Sequence, residues 1–174
     1  MTLVVFVAAV LRSFTGFGLA LVVVPALSLF VAPAQVVVIS SALAFSISLL
    51  SVRSFRRQVT LAEMAPLLLT AGVGTAVGVT VLALISVQLF QLLVGLAVLL
   101  ACAGIAVSAP GRVLHVPGLA WVAGLLSGLM NGALAIPGPP MILYALMTEA
   151  EPARSRALLM AFFMASSALA LLTP

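Results

Sequence analysis

Long apolar runs separated by short polar breaks make up this chain. Reading between the breaks gives six segments of spanning length: Leu3–Val31, Ala34–Val52, Leu61–Ile85, Gln88–Ser108, Gly118–Met147 and Ala157–Leu172. A helix that crosses a bilayer needs about 20 predominantly apolar residues. The breaks "APAQ", "RSFRRQ", "SVQ", "SAPGRVLHVPG" and "TEAEPARSR" hold the proline and polar residues expected at helix ends. The pattern predicts an all-α integral membrane protein, a polytopic helix bundle of about six spans. The first and fifth segments are too long. Each has about 29 residues, roughly 43 Å at 1.5 Å per residue, against a hydrocarbon core of about 30 Å. Both are also interrupted, by "RSFTGFG" in the first and "MNGALAIPGPP" in the fifth. Excess length together with glycine, proline and polar residues predicts broken or re-entrant segments.

The interrupted segments resemble each other. Ser13, Gly18 and Pro25 follow the spacing S-x4-G-x6-P, and Ser127, Gly132 and Pro139 repeat it. Further along, Pro33 and Ala34 match Pro152 and Ala153. At that same offset Ala42 meets Ala161 and Ser48 meets Ser167. An internal duplication follows, with residues 1–108 as a first four-span repeat. Residues 117–174 then form a partial second repeat of two spans, two short of a full copy.

Composition fixes the solvent. The chain is 65% hydrophobic and 6% charged, where a soluble domain is about 25% charged. The lipid bilayer is therefore the expected partner. The seven basic residues are all arginine, and the net charge is +4. They are scattered beside apolar runs, so nucleic acid is not a predicted partner and the arginines read as topology signals. "RSFRRQ" is the densest basic break and marks the cytoplasmic side. Counting spans puts "APGRVLHVPG" on that side, "TEAEPARSR" on the opposite side, and the N-terminus inside. The start "MTLVVFVAAVLRS" has no basic n-region, so it reads as a retained span of a multi-pass protein of the inner (cytoplasmic) membrane. One cysteine, one histidine and no aspartate give no metal site and no nucleophile–base pair. The expected reading is no cofactor and no enzyme.

The breaks carry the candidate chemistry. A helix that restarts inside the membrane presents free N–H groups and partial positive charge, which attract anions. Gly16 and Gly18, flanking Phe17, let the backbone leave helical geometry, and Ser13 and Thr15 add hydroxyls. In the second half Asn131 and Gly132 precede Pro137, Gly138 and Pro139, where a continuous helix is disfavoured. Arg12 reads in two ways. It is an anion-attracting group at the cavity, or an arginine that snorkels to the headgroups. The glycines Gly72, Gly74 and Gly78 read as close helix packing. Glu63 reads as interfacial, with proton coupling as the alternative.

These motifs resemble a known family. "SFTGFGLALVVVPAL" is similar to the first signature of the sulfite exporter TauE/SafE family, and "GLLSGLMNGALAIPGPPMILYAL" is similar to its second. The resemblance covers essentially the whole chain. It implies a membrane transporter of about eight spans in two related halves, exporting sulfite, sulfonates or other small sulfur-containing anions. A proton or sodium ion as coupling partner and a homo-oligomer stay open. So do a non-transporting membrane subunit and an anion channel.

Overall fold

The computed structural model describes residues 18–55, 58–107 and 116–172. Among them every regular element is helical and no strand occurs. In chain order the helices are α1 (Leu19–Ser28), α2 (Pro33–Leu50), α3 (Val52–Phe55) and α4 (Leu61–Leu84). They continue with α5 (Val87–Val107), α6 (Leu119–Leu134), α7 (Gly138–Thr148) and α8 (Pro152–Leu172). Four of them, α2, α4, α5 and α8, are long and apolar enough to cross a membrane. The starts follow local chemistry. Pro33 opens α2 at a position where its missing N–H costs nothing. The Thr60 hydroxyl accepts the Glu63 backbone N–H at 3.4 Å and caps α4. The outer surface is apolar, with Leu69, Val73, Leu92, Leu96 and Leu99 turned outward from α4 and α5.

The tightest contact in the fold is between α4 and α6. A β-carbon added at Gly124, Gly128 or Gly132 would run into Leu67 and Thr70, Ala71, and Thr75 respectively. One added at Gly74 or Gly78 would meet the backbone of Leu125 or Leu129. Glycine every fourth residue lines one helical stripe. Backbone therefore lies on backbone, as in small-residue membrane helix pairs. The Thr75 hydroxyl crosses the seam to the Gly128 carbonyl at 3.3 Å. Gly74 and Gly78 thus take the packing role expected of them, whereas Gly72 faces open space.

Residue numbers rise together across this seam, so α6 runs parallel to α4. The chain then reverses. Along α7, Leu143 packs against Gly104 near the end of α5. Beyond α7, Arg154 pairs with Glu149 at 3.0 Å and with Glu63, at the start of α4, at 3.3 Å. Phe55 and Gln58 share a pocket with Ala153, Arg156 and Met160. The α7–α8 link therefore sits at the same end of the bundle as the α3–α4 link. This corrects the expectation that "TEAEPARSR" lies on the opposite side. Span counting treats residues 118–147 as one crossing, but α6 enters and α7 returns. The break is as predicted, and the segment is a re-entrant hairpin rather than a kinked span.

The hairpin has a direct test. With Cys102 replaced by serine, single cysteines at Gln58 and Glu151 are expected to react with an impermeant maleimide from one side of oriented vesicles. A cysteine at Val87 should react only from the other. Labelling of position 151 together with position 87 would remove the hairpin.

Candidate functional site

The hairpin turns at Ala135, whose φ of 55° and ψ of 28° place an alanine in the left-handed region. Its N–H donates to the Asn131 carbonyl at 2.8 Å, and the Ile136 N–H donates to the Met130 carbonyl at 3.3 Å. Together they close the end of α6. A residue with a β-carbon in this conformation costs about 1–2 kcal/mol, and strain of this kind persists where the surroundings over-determine it. Here Ala135 is buried in an apolar cluster with Val24, Val36 and Phe90. Pro137 caps α7, and Pro139 and Pro140 occupy its first turn, so α6 cannot continue through them. The other break has the same logic with a different residue. Gly18 caps α1 with φ 102°, and no side chain caps that helix.

Both breaks face one cavity of about 30 Å³, two to three times the roughly 10–15 Å³ that one water needs. Gly18, Leu19, Ala20 and Leu21 form one wall. Asn131 and the turn from Ala135 to Gly138 form another. Ser40, Ser41 and Ala44 of α2 and Phe163 and Ser167 of α8 complete it. None of these lining residues is charged. Asn131 donates from Nδ2 to the Ser166 carbonyl at 2.7 Å, which ties the hairpin to α8.

The two breaks are unequal as donors. In the first turn of α1 the N–H groups of Leu19, Ala20 and Leu21 have no acceptor within the helix. In α7 the second and third positions are proline, which has no N–H, so Gly138 is the one donor of its first three residues. The expectation that both breaks release a set of N–H groups is reduced to one group in α7.

The least expected feature lies on α2. Ser40 and Ser41 are each 2% exposed, and neither hydroxyl has a hydrogen-bond partner among the described residues. Other serines on this helix behave differently: Ser46 and Ser48 donate to the carbonyls of Ala42 and Ala44. Ser167 likewise donates to Phe163 at 2.6 Å. An unsatisfied buried hydroxyl costs roughly 1–3 kcal/mol. Two at one cavity call for an explanation. A third unpartnered hydroxyl, Ser127, is fully buried in α6 outside the cavity wall.

The sequence-predicted residues divide three ways. Gly18, Asn131, Pro137 and Gly138 line the cavity. Gly132 does not, because it is in the seam against Thr75, and Pro139 is buried in the first turn of α7 without reaching the wall. Arg12, Ser13, Thr15, Gly16 and Phe17 lie outside the described residues. The S-x4-G-x6-P match also separates: Gly18 caps a half-helix, whereas Gly132 is inside one. Ser40, Ser41 and Ser167 were missed. Their signal was the doublets "ISSALAF" and "ASSALAL", pairs of serines half-way along apolar spans. Glu63 is half-exposed at the start of α4 and paired with Arg154. Gln91 donates to the Ser28 carbonyl at 2.8 Å and holds the end of α1 to α5.

A sequence model of the family described as Sulfite exporter TauE/SafE matches residues 1–173. No curated protein and no solved structure matches the chain. The match runs over essentially the whole length, so the chain belongs to the TauE/SafE family, a family of membrane transporters.

Proposed function

From that membership we propose that the chain moves small sulfur-containing anions, sulfite or a sulfonate, outward across the cytoplasmic membrane through the cavity between its two helix breaks. The observation that carries this reading is the convergence of the first turns of α1 and α7 on one cavity. Each helix start has partial positive charge, and two such starts facing each other leave a site that an anion stabilises. Secondary transporters build midplane sites from discontinuous helices in this way. The uncharged lining favours an anion over a cation, for which a carboxylate would be expected.

Orientation follows from the arginines. Arg53, Arg154 and Arg156 flank links at one end of the bundle. An excess of arginine marks the cytoplasmic face, so the α6–α7 hairpin opens to the cytoplasm. The helix starts also support the duplication. One common offset carries Leu19 to Gly138 and Pro33 to Pro152, the first residues of α1 and α7 and of α2 and α8. From the cavity, α7 runs to the basic end. By contrast, α1 runs to the other end, where Gln91 holds Ser28. Opposite directions are what inverted-topology repeats produce.

The test is reconstitution. Vesicles holding the protein are expected to show saturable sulfite or methanesulfonate flux above empty liposomes, and sulfite should compete with methanesulfonate. No flux of either, from well-folded protein at several imposed proton and sodium gradients, would sink the transport reading.

A further inference from the structure

We infer that Ser40 and Ser41 are direct ligands of the transported anion, donating their two hydroxyl hydrogens to separate oxygens of an R–SO3⁻ or similar trioxo head held in the cavity. This rests on the transport reading above and assigns residues that neither break contains. Three observations carry it. Both side chains are buried and both hydroxyls lack partners among the described residues. Both residues line the cavity that the breaks close. Their neighbours Ser46 and Ser48 satisfy themselves on the helix backbone, so nothing about serine in α2 forces a hydroxyl to stay unpaired.

The donor set defines the ligand class. Hydroxyls come from α2, first-turn N–H groups from α1, and the Gly138 N–H from α7. Donors on three elements suit a compact head with three acceptor oxygens spread around one centre. A flat carboxylate offers two oxygens in one plane and leaves one element's donors unmet. A site that hydrogen-bonds its ligand rejects analogues lacking the acceptor, because its own groups are then left unpaired. The expected order of affinity is therefore methanesulfonate and sulfite above acetate.

The experiment measures binding of methanesulfonate to purified full-length protein in detergent, alongside flux in vesicles. Each single alanine variant at Ser40 or Ser41 should raise Kd about 10–150-fold, as loss of one hydrogen bond to a charged group implies, and the double variant should raise it further. Threonine at both positions keeps the hydroxyls and should restore binding. Ser46→Ala, at an exposed position, should leave Kd unchanged. The double alanine variant should melt no lower than wild type, because it removes two unsatisfied buried groups. Kd for methanesulfonate unchanged in the double variant overturns the assignment, even if flux persists and the transport reading stands. Binding lost in that variant without any flux in wild type does the reverse. Wild-type protein that binds neither methanesulfonate nor sulfite overturns the assignment outright.

Discussion

Gly128→Ala is expected to lower the melting temperature of the detergent-solubilised protein by about 5–10 °C and to abolish flux. The added methyl group would meet the carbonyl oxygen, Cα and carbonyl carbon of Ala71. These are backbone atoms of α4, which cannot rotate away as a side chain would. Overpacking costs about 1–3 kcal/mol, and a rigid neighbour on both sides places this case at the top of that range. For a chain of this length 1 kcal/mol moves the melting point about 2–4 °C. The matched control is Gly95→Ala in α5, where a β-carbon meets nothing within 4 Å. Alanine is the better helix former by up to about 1 kcal/mol, so that variant should be neutral or slightly stabilised. Equal melting curves for the two variants would refute the backbone-to-backbone seam.

Asn131→Asp is expected to suppress methanesulfonate binding about 100-fold or more at pH 8 and to recover much of it near pH 5. Asn131 is 2% exposed and lines the cavity. Two like charges about 4 Å apart repel by about 4 kcal/mol at an effective dielectric of 20, which more than covers a 100-fold loss. Burial disfavours the charged form of a carboxyl, so its pKa rises. As the pH falls through that raised value the side chain becomes neutral and again nearly the shape of asparagine. Methanesulfonate stays a monoanion throughout, so any recovery belongs to the protein. Asn131→Leu should show weakened binding with no such pH dependence. Undiminished binding by the aspartate variant at pH 8 would exclude an anion from this cavity.

The parts legible in the sequence are those written in local chemistry. Apolar runs gave the long helices within a residue or two at most ends, because hydropathy and proline placement are local properties. "AIPGPP" gave the break at Ala135–Pro137, since proline removes the N–H groups that a continuous helix needs. The direction after the break was not legible. Whether α7 continues or returns depends on partners distant in sequence, Leu143 on Gly104 and Arg154 on Glu63. Glycine was half legible. A repeat of four at Gly124, Gly128 and Gly132 is a packing stripe, yet the resemblance of Gly132 to Gly18 drew it to the ligand. The serines were least legible, because a serine in a membrane helix ordinarily bonds its own backbone. Only the three-dimensional arrangement distinguishes Ser40 and Ser41 from Ser46 and Ser48.

The parallel seam between α4 and α6 also bears on how the protein is made. Residues 118–148 are long and apolar enough to be left in the bilayer as an ordinary crossing. Synthesis is N-terminal first, so α4 has left the ribosome before α6 follows. Its row of exposed carbonyls along Leu67, Ala71 and Thr75 is a track that admits only a helix without side chains on the matching stripe. The glycine stripe of α6 therefore fits a surface that is made before α6 is, and that fit, not hydropathy, is what sets this segment apart from an ordinary crossing.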